Sequence, residues 1–156
     1  MRSFRESSVR RRVMMRLGAT AAALVAATAG TVVVRPAPAA AALTTCYTWQ
    51  FHPFSSGSSW KAQVPAYGSS FICKLELGDR GFAVEMLQLS LIFCNNADLS
   101  PGWIDGIYGE KTRNAVAWIQ GANGLSVDGD YGPLTKNVMQ WLYRNGDATA
   151  CRPFYN

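Results

Sequence analysis

Two stretches of the chain repeat one another 23 residues apart, IDGIYGEKTRNA at 104–115 and VDGDYGPLTKNV at 127–138. Each stretch starts with an Asp-Gly step, continues through Tyr-Gly, and ends in residues that suit a helix. The repeat extends to Trp118-Ile119 and Trp141-Leu142 at the same spacing. The sequence therefore predicts a duplicated unit made of a turn followed by a helix.

The glycines of each copy predict where the turns and helices fall. In an Asp-Gly turn the aspartate accepts a local backbone hydrogen bond and the glycine takes up left-handed dihedral angles. The second glycine of each copy, Gly109 or Gly132, suits the N-cap, and Pro133 then suits the first helical position. Gly124 and Gly146 are predicted to end the two helices.

A further helix is predicted before the repeat. Val84, Leu87 and Leu91 share one helical face, and Asp79 is a suitable N-cap, which predicts a helix from about residue 80 to 93. We therefore expect a mainly α fold, a small three-helix bundle with Asp-Gly turn repeats at 75–145. The aromatic segment 43–74 has no helical period and is predicted to be irregular or to hold short β pieces, and 146–156 is predicted to be a C-terminal tail.

The first 42 residues are typical of a secretory signal peptide. An arginine-rich start precedes an uncharged apolar run at 17–34, and the Ala-rich stretch 37–42 offers Ala-x-Ala cleavage sites. We expect cleavage between Ala40 and Leu43 and a protein that is secreted or associated with the cell wall. An uncleaved membrane anchor is the alternative, and the export route, general secretory or twin-arginine, stays open.

The charge distribution argues against a nucleic-acid partner. Residues 1–42 hold seven of the 15 Lys and Arg residues but one of the ten Asp and Glu residues. The remaining 8 basic and 9 acidic residues give the exported part a net charge of −1. A near-neutral protein lacks the electrostatic signature of nucleic-acid binding, and after cleavage we expect no membrane association either.

All four cysteines lie in the exported part, which favours two disulfides. A zinc site is disfavoured because no two cysteines are closer than 21 residues. Four cysteines allow three pairings. The preferred pairing joins Cys46 to Cys73 around a local loop, and Cys94 to Cys151, which ties the tail to the end of the first helix.

The ordered motifs of residues 75–143 resemble those of the peptidoglycan-binding-like domain. The resemblance rests on the first helix with its Leu-Gln step, both Asp-Gly-x-Tyr-Gly-x-x-Thr turns, and Gln120 on the second helix. That family is a small three-helix module appended to many bacterial cell-wall hydrolases, amidases and carboxypeptidases. The resemblance implies binding to the cell wall without a reaction, whereas segment 43–74 matches no family that we recognise.

The residues themselves also indicate no catalyst, metal or cofactor. His52 is the single histidine of the chain, too few for a typical zinc peptidase, and it is interpreted as a surface loop residue. Asp105 and Asp128 occupy identical contexts, whereas a glycosidase needs two carboxyl groups in different environments. The repeat also lacks the acidic spacing of a calcium loop.

Flat aromatic rings and short polar groups on the turn side of the bundle are the candidates for ligand binding. These residues are Trp103, Asp105, Tyr108, Arg113, Asp128 and Tyr131. The alternative for both tyrosines is packing in the core, because the repeat places them identically. Trp103 and Arg113 differ from their repeat partners, Ser126 and Lys136, and are therefore the better candidates for recognition.

The sequence thus predicts an exported, non-catalytic protein that binds peptidoglycan through its glycan or its stem peptide. One alternative is a regulator or inhibitor of a secreted wall hydrolase, with 43–74 as the interacting loop. A second is a wall hydrolase, which is disfavoured because about 32 residues cannot form a catalytic core of their own.

Overall fold

The computed structural model describes residues 42–97 and 99–155. Except for Ala42, the predicted signal peptide lies outside the described residues. No helix within them is long and apolar enough to cross a membrane. The elements in chain order are β1 (Thr48–Pro53), β2 (Lys61–Ala66), α1 (Phe82–Cys94), a 3-10 turn (Pro101–Trp103), α2 (Glu110–Ala122), α3 (Pro133–Val138), β3 (Gln140–Asn145) and β4 (Ala148–Pro153).

The prediction of a mainly α three-helix bundle is wrong, because the four strands form one antiparallel sheet in the order β1-β2-β3-β4. The aromatic segment supplies the β1–β2 hairpin, and the predicted tail supplies β4. The two hairpins are joined by a short ladder in which Lys61 pairs with Arg144 and Ala62 with Tyr143. The fold therefore combines this sheet with three helices, and the segment expected to be irregular is part of it.

The third predicted helix is cut short by the sheet. α3 ends at Val138, and Met139 is already extended, with φ −74° and ψ 153°. In β3 the side chains of Trp141 and Tyr143 are buried while Leu142 is half-buried, as the two-residue period of a strand requires. Gly146, predicted to end a helix, instead lies in the turn of the β3–β4 hairpin with φ +59°.

The other helices begin close to the predicted positions. Gly109 and Gly132 are the N-caps of α2 and α3, and Pro133 is at the first position of α3, as predicted. α1 is capped by Gly81 rather than by Asp79. The Asp79 carboxylate instead accepts a hydrogen bond from the backbone N–H of Glu76 at 2.8 Å, which closes the turn before the helix.

Both disulfides are present in the preferred pairing, Cys46–Cys73 and Cys94–Cys151. The second joins the last residue of α1 to β4. One core serves the whole described fold, because buried side chains of the aromatic segment pack with those of the helices and β3. Among the largest are Val64, Leu75, Leu87, Val116, Tyr108, Tyr131, Met139, Trp141 and Tyr143.

Candidate ligand-binding site

The two Asp-Gly turns have the predicted backbone geometry. Gly106 and Gly129 lie in the left-handed region, with φ +68° and +74°. In each turn the aspartate accepts a hydrogen bond from the backbone N–H two residues later, Asp105 from Ile107 and Asp128 from Asp130, both at 2.9 Å. These are the Asx hydrogen bonds that favour aspartate at the start of such a turn.

A buried glutamine holds the first turn from α1. The amide nitrogen of Gln88 donates to the Asp105 carboxylate at 2.9 Å, to the Ile107 carbonyl at 3.0 Å and to the Thr112 hydroxyl at 3.1 Å. Its oxygen accepts from the backbone N–H groups of Asp105 at 3.1 Å and Gly106 at 3.0 Å. One side chain thereby satisfies the polar groups of the whole turn, as burial requires.

Gln120 holds the second turn from α2 in the same way. Its amide nitrogen donates to Asp128 at 2.7 Å, to the Asp130 carbonyl at 2.9 Å and to Thr135 at 3.1 Å. Its oxygen accepts from the N–H of Gly129 at 2.9 Å. The repeat therefore duplicates a complete hydrogen-bonded assembly, which we call the glutamine clasp, made of the glutamine, the Asp-Gly turn and the threonine.

The first clasp also favours the ionised state of Asp105. The hydrogen bond from Gln88 and then that from the Ile107 amide lower the pKa of the Asp105 carboxyl, because both favour its charged form. A carboxylate held in this way builds the turn. The free edge of its carboxylate remains at the surface, where Asp105 is exposed.

Both tyrosines of the repeat lie in the core, with Tyr108 0% and Tyr131 1% exposed. Burial raises the pKa of both hydroxyls well above the usual value of 10. The Tyr108 hydroxyl donates to the carbonyl of Gly129 at 2.7 Å and so links the two turns. Neither ring is accessible for stacking on a ligand. The candidates left for direct contact with a ligand are Trp103, Asp105, Arg113 and Asp128.

A small groove of about 170 Å³ lies beside the first turn. Trp103 and Asp105 line it, together with Lys111 at the start of α2. The Trp103 ring is 40% exposed, and the ammonium of Lys111 lies 3.0 Å from its centroid. A cation over a ring at this distance is attracted to the ring face, so a ligand that stacks there must displace it.

A larger groove of about 470 Å³ lies beside the second turn. It is lined at repeat positions equivalent to those of the first groove by Asp128, Asp130, Pro133 and Leu134. Leu43, Lys74, Leu125 and Ser126 also line it. Trp103 and Lys111 of the first groove correspond to Ser126 and Leu134 of the second. The second groove therefore has no counterpart of the Lys111–Trp103 cation–π pair at these positions.

Arg113 lies over the second turn rather than in either groove. Its Cγ would be 2.6 Å from a Cβ placed on Gly129, and its guanidinium donates to the Asp128 carbonyl at 3.4 Å. The structure thus separates the six candidates. Trp103 and Asp105 share the first groove, Asp128 lines the second, Arg113 covers the second turn, and the tyrosines are buried.

No group of three or more His, Cys, Asp or Glu side chains suited to a metal is found among the described residues. His52 is half-buried in β1, where its ring stacks on Phe154 at 3.9 Å, so its interpretation as a surface loop residue is wrong. Burial lowers its pKa. All four cysteines are held in the two disulfides.

The described part of the chain is thus a small α+β domain with a surface groove beside each of its two hydrogen-bonded turns. Residues 80–139 match the family described as "Putative peptidoglycan binding domain". This match confirms the resemblance seen in the sequence for that segment of the chain. A peptidoglycan-binding domain and two disulfides are consistent with an extracytoplasmic location.

Three solved structures are similar to part of the chain. A Burkholderia AP3 phage endolysin is 48% identical over 40% of this chain and 22% of its own, with a TM-score of 0.36. The SleB N-terminal domain is 31% identical over 46% of this chain and 89% of its own, with a TM-score of 0.38.

A peptidoglycan-binding protein from Clostridioides difficile, solved with glutamine hydroxamate, is 28% identical over 56% of this chain and 53% of its own, with a TM-score of 0.41. The chain thus spans about a fifth of the endolysin and about half of the Clostridioides protein. No curated protein matches the chain.

Sequence reasoning did not assign the two clasp glutamines or Asp130. Gln88 and Gln120 belong to the motifs seen in the sequence. Each is a polar residue on an otherwise apolar helix face, and that position was the available signal that it holds a turn. Asp130 stands where the first copy has Ile107, and that difference was the available signal. The contribution of Leu43 to the second groove depends on tertiary contact and had no local signal.

Proposed function

We propose that this protein is an exported, non-catalytic peptidoglycan-binding protein whose ligand surface is the pair of grooves beside the Asp-Gly turns. The observation that carries the proposal is the duplicated glutamine clasp, which gives two rigid turns with a groove beside each of them. A site on pre-ordered backbone binds without the entropic cost of ordering a loop. Export is proposed from the predicted signal peptide and is supported by the two disulfides.

The absence of a reaction is part of the proposal. The aspartates that begin the turns accept hydrogen bonds within the clasps, and the histidine is stacked in an aromatic cluster, which argues against a catalytic acid or base among them. Affinity is expected to be modest, because grooves of this size desolvate a small ligand area.

A substitution at Trp103 tests whether the first groove binds peptidoglycan. Trp103→Ala should weaken co-sedimentation of the protein with purified sacculi several-fold while the melting temperature stays close to that of the wild type, because the ring is exposed and outside the core. Trp118→Ala is the matched control, since that tryptophan is 57% exposed and lines neither groove. Equal loss of binding in both variants would argue against a specific site at Trp103.

Exposed aromatic residues of the aromatic segment 43–74, here called the lead segment, favour a second candidate function, a regulator of a secreted wall enzyme. Tyr47 just before β1 is 62% exposed, Phe51 in β1 is 56% exposed, and Tyr67 just after β2 is 47% exposed. Such side chains are enriched at protein interfaces. Capture of a wall hydrolase by the wild type but not by Phe51→Glu, with sacculus binding unchanged, would support this function.

A further inference from the structure

The repeat provides an internal comparison that separates turn-building residues from residues free to recognise a ligand. Ile107 and Asp130 occupy equivalent positions, and their backbones have the same partners. In each, the N–H donates to the preceding aspartate and the carbonyl accepts from the clasp glutamine. Because isoleucine serves equally well in the first copy, the fold does not require the carboxylate of Asp130.

The negative charge of the Asp130 carboxylate is also poorly compensated by neighbouring hydrogen-bond donors and cations. It accepts no hydrogen bond from any residue in the described part of the chain. Partial burial raises the pKa of Asp130, and repulsion from Asp128 and Glu76 raises it further, against the attraction of Arg113 and Lys74. The ammonium of Lys74 is held by Glu76 at 2.6 Å instead. The groove thus presents a carboxylate that a ligand cation would stabilise.

Part of the wall of the second groove suits an alkyl chain. Leu43, Leu125, Pro133 and Leu134 are aliphatic, and Leu134 is 69% exposed. The single aromatic residue of the lining, Tyr131, is buried and offers no face for stacking on a sugar. An aliphatic channel that runs past a carboxylate complements a side chain with a methylene stem and a cationic end.

We propose that the second groove binds the side-chain amino group of a diamino acid in a peptidoglycan stem peptide, with the ammonium at Asp130 and the alkyl stem against Leu125 and Leu134. This inference rests on the proposed function and assigns the peptide, rather than the glycan, to this groove. The first groove has Ile107 in place of Asp130, so it lacks the carboxylate at that position.

The test uses two synthetic peptides of sequence Ala-Glu-Lys-Ala that differ by acetylation of the lysine Nε, which removes the charge and keeps the stem. Titration calorimetry compares their binding to the wild type and to Asp130→Asn. Asp147→Asn is the matched control, since that aspartate is exposed in the β3–β4 turn, outside both grooves.

Acetylation should weaken binding to the wild type and to Asp147→Asn by roughly tenfold or more, the usual range for a charge-assisted hydrogen bond. Asp130→Asn should bind the lysine peptide about as weakly as the wild type binds the acetylated one, with little further loss on acetylation. Equal binding of both peptides to the wild type, or an unchanged affinity in Asp130→Asn, would overturn the proposal.

Co-sedimentation with sacculi distinguishes this failure from failure of the proposed function. If the wild type and Asp130→Asn bind sacculi equally, wall binding stands and recognition of the amine is rejected. If the wild type does not bind sacculi at all, the proposed function fails, whatever the peptides show. The proposal predicts binding by the wild type and weaker binding by Asp130→Asn.

Discussion

At the scale of the residue, the glutamine clasp explains why the same few side chains recur in both copies of the repeat. Gln88 and Gln120 lie on different helices, yet each satisfies an aspartate, a threonine and the backbone of a turn. A buried glutamine that lost these partners would carry the full cost of desolvation. The sequence showed the motif, but the partners are far apart in the chain and could not be assigned from spacing.

Gly129→Ala should destabilise the fold more than Gly106→Ala. Both residues have positive φ, which costs a residue with a Cβ about 1–2 kcal/mol. At Gly129 the new Cβ would also lie 2.6 Å from Arg113 Cγ, whereas at Gly106 the nearest atoms, in Glu85, are 3.1 Å away. Denaturant unfolding measures both free energies of unfolding.

Gly109→Ala is the control for these variants, because its φ is −88° and no atom lies within 4 Å of the added Cβ. It should be the mildest of the three. A free energy of unfolding for Gly129→Ala equal to that of Gly109→Ala would contradict the assigned turn geometry.

Asp130→Asn should make the protein more stable at neutral pH. The folded-state pKa of Asp130 lies above its ordinary value of 3.8, so the ionised carboxylate opposes folding. The gain should shrink as the pH falls through that raised pKa and vanish below 3.8, where the carboxyl is protonated in both states. Melting temperatures from about pH 7 to about pH 3 test this.

Asp105→Asn should change the stability of the protein in the opposite direction. Hydrogen bonds lower the pKa of Asp105, so its charge stabilises the folded state above 3.8, and that stability is lost as the pH falls through the lowered pKa. Asp105→Asn should therefore be less stable than the wild type at neutral pH. The same direction of change in both variants would refute the assigned environments.

At the scale of the element, the sequence predicted what local chemistry determines and failed where a distant partner decides. The N-caps of α2 and α3 follow from Gly109, Gly132 and Pro133, and both were predicted. The stretch after Val138 matches α2 in the repeat, but it is rich in bulky residues that also suit a strand. It becomes β3 because the β1–β2 hairpin and β4 pair with it. The two-residue loop Gly146-Asp147 is a local signal for the pairing with β4, whereas no local pattern reveals the pairing with β2.

Removal of the Cys94–Cys151 disulfide by serine substitution at both positions should release β4 first. Among the described strands β4 lies at the edge of the sheet and pairs with β3, and the disulfide ties it to α1 across 57 residues. Loss of a disulfide costs roughly 2–5 kcal/mol in small domains. Hydrogen exchange should show faster exchange of the amides at 148–153 than elsewhere in the sheet.

The Cys46–Cys73 pair, which closes a loop of 27 residues, is the control for this effect. Its removal should accelerate exchange near the β1–β2 hairpin and leave β4 protected. Unchanged protection of β4 after loss of Cys94–Cys151 would show that the strand is held by the sheet alone.

At the scale of the whole molecule, the lead segment completes the peptidoglycan-binding domain rather than standing apart from it. Its side chains Val64 and Cys73 are fully buried in the shared core, and Leu43 and Lys74 line the second groove. The candidate ligand-binding residues chosen from the sequence lie at or near the turns. None of them indicated that residues 43–74 contribute to a groove. The part of the chain that resembles no family therefore helps to shape the larger groove.

Co-sedimentation of the wild-type protein with purified sacculi, with soluble fragments assayed in the supernatant, tests the central claim most directly. We predict saturable binding that changes little between low and moderate salt, since residues 43–156 carry a net charge of −1, and no release of fragments. Failure to sediment at either salt concentration, or steady release of soluble wall fragments, would contradict the account of a non-catalytic wall-binding protein.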